Sequence, residues 1–170
     1  RKAFVDFVKL NKNKDVALIG GLALGAWTRS RNTDDIDLMV FSEEDIDSIE
    51  KNISAKFKRT RTHAFEHRSY GVEIEIITPD FVKESKDLIK NAIQHSKKDD
   101  INGNEIKVIT PKYLIALKLG RAILKGNHKS KIDQGDIMNL IQTYGKIDLS
   151  DLNLSKEKID LYNSLEKESE

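Results

Sequence analysis

Two aspartates two residues apart, Asp35 and Asp37, open an apolar run, Ile36-x-Leu38-Met39-Val40. The run is too apolar for a solvent-facing loop and predicts a strand. Side chains alternate along a strand with period two, so both carboxylates face one way. Upstream, Ala17-Leu18-Ile19-Gly20-Gly21 is an apolar stretch that ends in two glycines. Glycine lets the backbone turn sharply and approach a ligand closely. Paired carboxylates held rigidly beside a glycine turn are what a divalent cation and a phosphate chain require.

A third acid is expected from a neighbouring strand. Val72-Glu73-Ile74-Glu75-Ile76-Ile77 alternates cleanly and predicts one, with Glu73 and Glu75 on a shared face. Glu75 is favoured because isoleucines flank it and it lies nearer the strand's end; Glu73 is the substitute. Three carboxylates brought together repel unless cations neutralise them. Mg²⁺ takes carboxylate and phosphate oxygens and keeps several waters. Two such ions about 3.5–4 Å apart activate an attacking hydroxyl and stabilise a pyrophosphate leaving group. One carboxylate, here that of Glu75, then serves as base or orients the nucleophile. Backbone amides after Gly20, at the start of a helix, would meet the triphosphate.

Gly20-Gly21, then Arg31-x-Thr33-x-Asp35-Ile36-Asp37-Leu38, then Ile74-Glu75-Ile76-Ile77 resembles the nucleotidyltransferase superfamily that shares its palm-like fold with DNA polymerase beta. The Arg-x-Thr-x-Asp-Ile-Asp form looks most like the small bacterial and archaeal members, which include the abortive-infection toxin type and the lincosamide-modifying type. The resemblance runs from about Val16 to Tyr144. It implies transfer of a nucleoside monophosphate from an NTP to an acceptor, with Mg²⁺ or Mn²⁺ as cofactor. Asp35, Asp37 and Glu75 would be the metal ligands and catalytic acids. Gly20, Gly21, Arg31, Thr33 and Lys118 would hold the nucleotide. The acceptor is a small molecule, a tRNA or a protein, and the toxin-like branch implies an antitoxin partner. Gly-Gly after the first strand matches that branch, whereas its third acid is usually aspartate rather than glutamate. Asp133 and Asp136 resemble the acidic pair that follows in similar proteins. A non-catalytic relative that binds a nucleotide or a partner is the competing reading.

Plainer roles are expected for several neighbours. Lys118 interrupts the apolar Leu114-Ile115-Ala116-Leu117-Lys118-Leu119 and either meets a phosphate or snorkels to solvent. Asp133 and Asp136 also suit a helix N-cap and its first-turn partner. His63 and His67, four apart in a segment that reads as strand, are expected to be surface residues. Lys58-Arg59-x-Arg61 reads as a solvated face or a site that attracts a phosphate-bearing acceptor. Trp27 reads as core.

The surrounding elements must position these groups. Lys2–Leu10 suits an amphipathic helix, and Leu22, Ala23, Ala26 and Trp27 share a helical face. Ser42-Glu43-Glu44-Asp45 predicts an N-cap with acids in the first turn, opening a helix to about Phe57. Lys58–Tyr70 reads as one or two strands, and a helix runs from Pro79 towards His95. Asn102-Gly103 marks a hairpin turn. A strongly apolar helix runs from Pro111 to about Leu124, another from Asp133 to Tyr144, and a charged one from Ser155. Strands alternate with helices first and helices alone come last. The expectation is an α+β fold: a mixed-sheet core over residues 1–109 and a helical portion over 110–170 packed on it.

Composition bounds the rest. The 170 residues carry 34% charged side chains but a net charge of only +1, so no large basic footprint demands nucleic acid. There are no cysteines, which excludes disulfides and thiolate zinc sites. No segment is apolar enough to span a bilayer and no signal-peptide pattern opens the chain, so a cytoplasmic protein is expected. The apolar helix from Pro111 would serve the core or an oligomer seam.

Overall fold

A computed structural model describes residues 2–28, 35–82, 84–100, 103–124, 126 and 128–169. The chain divides into two compact units, residues 1–23 with 31–109, and residues 24–30 with 110–170.

The first unit opens with helix α1 (Lys2–Leu10), which buries Ala3, Phe4, Phe7 and Val8. Strand β1 (Ala17–Leu18) leads directly into helix α2 (Gly20–Trp27), and strand β2 (Ile36–Met39) follows. Helix α3 (Glu43–Ile53) starts where the acids after Ser42 predict it. The Ser42 hydroxyl accepts from the Asp45 amide, and the Asp45 carboxylate accepts from the Ser42 amide at 3.1 Å. That reciprocal pair satisfies two amides that the helix start leaves without partners. The helix ends at Ile53, short of Phe57, because Phe57 opens strand β3 (Phe57–Arg61) and inserts into the core. Strands β4 (Ala64–His67) and β5 (Glu73–Ile77) come next. The helix expected from Pro79 is broken into α4 (Pro79–Val82) and α5 (Lys86–Gln94). Ser85 stands between them and caps α5, its hydroxyl accepting from the Leu88 amide at 3.1 Å. Strands β6 (Lys97–Asp100) and β7 (Glu105–Val108) form a hairpin. Gly103 in the connecting turn has φ +74°, whereas Asn102 lies outside the described residues.

Among the described residues, the seven strands join one mixed sheet in the order β3-β4-β5-β2-β1-β7-β6. The centre is β5-β2-β1-β7: β2 runs parallel to β5 and antiparallel to β1, and β1 is parallel to β7. One face is continuously apolar, with Leu18, Ile36, Leu38, Phe65, Ile74 and Ile76 all buried. Phe7 of α1 meets Phe57 edge-on there, ring centres 6.2 Å apart. His67 belongs to this face too. It is buried rather than at the surface, T-shaped against Phe57, stacked on Tyr70 and bonded through Nε2 to Asp6 at 3.1 Å. The edge strands are strongly charged, which guards their open backbones against pairing with another chain.

The second unit holds the end of α2, from Leu24 on, and helices α6 (Pro111–Ala122), α7 (His128–Tyr144) and α8 (Lys156–Ser169), with a 3₁₀ turn at Ser150–Leu152. Pro111 occupies the first turn of α6, where its missing N–H costs nothing. Leu114, Ile115, Leu119, Ile137, Leu140, Tyr162 and Leu165 form the buried seam of the three helices. The α7 start at His128 lies five residues ahead of the one expected at Asp133, because Ser130 and Gln134 both donate to the Ala122 carbonyl and so close the end of α6. The mixed α+β architecture is the one the sequence predicts.

Candidate active site

The carboxylates are set by the β2–β5 ladder. Asp37 and Glu75 are direct register partners in this parallel pair, so both project from the same face of adjacent strands. Ile36–Ile74 and Leu38–Ile76 alternate with them and are buried on the other face. The sheet thus drives its apolar side into the core and leaves Asp37 and Glu75 half-buried. Asp35, immediately before β2, is exposed.

Gly20 completes the cradle. Its φ is +65°, and a Cβ built on it would collide with the Asp37 carboxylate, lying 2.9 Å from Cγ and 3.0 Å from Asp37 Cβ. The backbone also joins the two strands here, the Ile19 amide donating to the Asp37 carbonyl at 3.0 Å. Helix α2 starts at Gly20, and its first-turn amides have no acceptor within the helix. A carboxylate, a glycine that must stay bare and the opening amides of a helix therefore meet at one end of β1. Gly21 is the second residue of the helix.

Glu73 has a different environment. Its carboxylate accepts from Thr60 Oγ1 at 3.0 Å and pairs with the Arg61 guanidinium. Arg61 also comes within 3.8 Å of Glu75 Oε1. The register favours Glu75 as the partner of Asp37 and ties Glu73 to the β3 edge. Arg61, read from sequence only as part of a basic face, is a neighbour of the site that local pattern does not reveal, because the long-range pairing of β3, β4 and β5 brings it there.

Among the described residues, no three His, Asp or Glu side chains are gathered closely enough to hold a metal ion on their own. The oxygen-only donors Asp37 and Glu75 nonetheless suit Mg²⁺, which commonly takes one or two carboxylates and completes its shell with water and substrate phosphates. Arg31 and Thr33, expected to hold the nucleotide, lie outside the described residues.

Lys118 lies in the helical unit. Its Nζ donates to Asp133 Oδ1 at 3.0 Å and to Asp136 Oδ2 at 2.7 Å, with all three side chains buried. Arg121 closes the cluster with a forked pair of bonds to Asp133, one at 2.9 Å. Asp133 sits well inside α7 and is no N-cap; its role is to face α6. Burial pushes its carboxyl up, but the Arg121 bonds and the Lys118 and Arg121 charges outweigh that and hold it below the ordinary value. Arg121, one turn after Lys118, is a second residue the sequence reading passed over.

The described residues form a mixed α+β fold, with Gly20 against Asp37 and with Asp37 and Glu75 in register on adjacent strands. Among solved structures, the chain is similar to an antigenic nucleotidyltransferase-like protein from Paracoccidioides brasiliensis. The two are 22% identical and superpose with a TM-score of 0.67, over 97% of this chain and 87% of that one. No family model and no curated protein matches the chain. No helix among the described residues is long and apolar enough to cross a membrane.

Proposed function

We propose that the chain is a metal-dependent nucleotidyltransferase that moves a nucleoside monophosphate from an NTP to an acceptor hydroxyl or phosphate and releases pyrophosphate. The observation that carries this reading is the Gly20–Asp37–Glu75 constellation: a bare glycine pressed against one acid, at a helix start, beside a second acid in register. In this reading Asp35, Asp37 and Glu75 hold Mg²⁺ or Mn²⁺, which when bound screens phosphate charge and lowers the pKa of the attacking group. The amides that open α2 at Gly20 and Gly21 bind phosphate oxygens. Arg31 and Thr33 add side-chain contacts to the nucleotide. Glu75 accepts the acceptor's proton as its oxygen attacks the α-phosphorus and the bond to the β-phosphate oxygen breaks. A phosphate contact for Lys118 would use the one ammonium proton not engaged by Asp133 or Asp136.

The acceptor divides this reading. A toxin-type enzyme would modify a tRNA or a protein and be silenced by an antitoxin, whereas a lincosamide-like enzyme would modify a small molecule. Growth arrest on expression, relieved by Asp37→Ala, assigns the first.

One observation favours a second reading, a non-catalytic nucleotide-binding relative: the Arg61 guanidinium 3.8 Å from Glu75 competes with a cation. Pyrophosphate release from the four NTPs, assayed with cell extract as the acceptor source, separates the two. Release that disappears in Asp37→Ala, with the circular dichroism of the wild type retained, supports the enzyme. Release that persists undiminished in that variant sinks it.

A further inference from the structure

We infer that a cleft on the helical unit binds a nucleobase, a proposal that rests on the nucleotidyltransferase reading and adds a recognition site to it. The cleft, about 490 Å³, is lined by Ala26, Trp27 and Thr28 at the end of α2 and by Asn139, Gln142 and Thr143 on α7. Positions i, i+3 and i+4 fall on one helical face, so the α7 residues present a single strip. Trp27 is half-buried rather than core. Its ring meets Tyr144 at 6.4 Å between centres and 74° between planes, and the Tyr144 hydroxyl donates to the Trp27 carbonyl at 2.9 Å. Those contacts hold the aromatic wall in place.

The lining selects the ligand class. Among the described residues, the lining is uncharged. An indole supplies a stacking surface for a planar ring, and such stacking tolerates any base. Asn139 and Gln142 each carry an amide donor and acceptor side by side, the pattern that matches the donor and acceptor edges of a base. The Thr28 and Thr143 hydroxyls donate to the Leu24 and Asn139 carbonyls at 3.1 and 2.8 Å and keep lone pairs for a ligand's N–H. An aromatic wall beside mixed amide and hydroxyl groups suits a planar heterocycle better than an aliphatic chain.

Trp27 is the only tryptophan in the chain, so its fluorescence reports on the cleft directly. The test is a titration with adenosine, guanosine, cytidine and uridine, without metal or phosphate, followed by Trp27 emission and by the NMR shift of its indole N–H. Saturable quenching by at least one nucleoside is expected, with affinity falling tenfold or more in Asn139→Ala/Gln142→Ala, at two exposed positions that leave the fold intact. Absence of any response to all four overturns the proposal. So does a response matched by a methyl glucoside, or one that the double variant leaves unchanged. Asp37→Asn must leave nucleoside binding untouched. Nucleoside binding in a chain whose Mg²⁺-dependent NTP binding ignores Asp37 keeps the cleft and removes the metal site; the opposite pair of results removes the cleft alone.

Discussion

Gly20 is glycine because Asp37 occupies the space a side chain would need. The ideal Cβ position lies 2.9 Å from Asp37 Cγ, closer than real Cβ atoms approach, in a backbone conformation at φ +65° that side chains disfavour. The two positions therefore behave as one unit. Gly20→Ala is expected to destabilise the fold by about 1–3 kcal/mol and to weaken metal-dependent NTP binding by displacing the acid. Urea unfolding checks the first effect. In an Asp37→Ala background the cost of Gly20→Ala should shrink, since the clashing carboxylate is gone; equal costs in both backgrounds would mean that the two residues are independent.

Register distinguishes Glu75 from Glu73. Glu75→Gln is expected to abolish pyrophosphate release, whereas Glu73→Gln, which loosens only the Arg61 and Thr60 contacts, should retain most of it. The reverse order of effects would transfer the third-acid role to Glu73.

Arg61 sets the charge felt by both glutamates. Replacing it with alanine removes a cation 3.8 Å from Glu75, so Mg²⁺ should bind several-fold more tightly. The gain should fade as salt rises, because the Arg61 side chain is 62% exposed and screened by ions. A Mg²⁺ titration of both proteins at low and high salt reads this directly.

The Lys118–Asp133–Asp136–Arg121 cluster gives the helical unit an acid-sensitive element. The Asp133 carboxyl is held below its ordinary value, so the folded state binds fewer protons than the unfolded chain as pH falls into the carboxylate range. Its contribution is complete above the unfolded-state value near pH 4 and is lost as pH falls through the depressed folded value. Asp133→Asn leaves a buried ammonium with one carboxylate and should cost about 3–5 kcal/mol at neutral pH. Thermal melts of wild type and variant should therefore converge in strong acid.

The strand alternation and the glycine turn of the candidate site were legible because their signals are local. Asp35-Ile36-Asp37 and Glu73-Ile74-Glu75 show period-two alternation, and Gly20-Gly21 marks a turn without reference to distant residues. Ser42 and Pro111 announced their helices through capping chemistry. What sequence could not give was pairing. The choice between Glu75 and Glu73 depends on which residue faces Asp37 across a ladder, and that depends on register over long separations. His67 looked like a surface residue because its Phe57, Tyr70 and Asp6 partners come from three separate segments. Lys118 reads from sequence as a phosphate contact or a side chain that snorkels to solvent; the second reading fails, because the packing of α6 on α7 buries the ammonium against Asp133 and Asp136.

The most direct test of the central claim is calorimetry of the four NTPs with and without Mg²⁺, on wild type and on Asp37→Asn. The account predicts that at least one NTP binds wild type only when Mg²⁺ is present, and that this binding is lost in Asp37→Asn although the variant stays folded. Binding that needs neither the metal nor Asp37, or no binding to wild type at all, would contradict it.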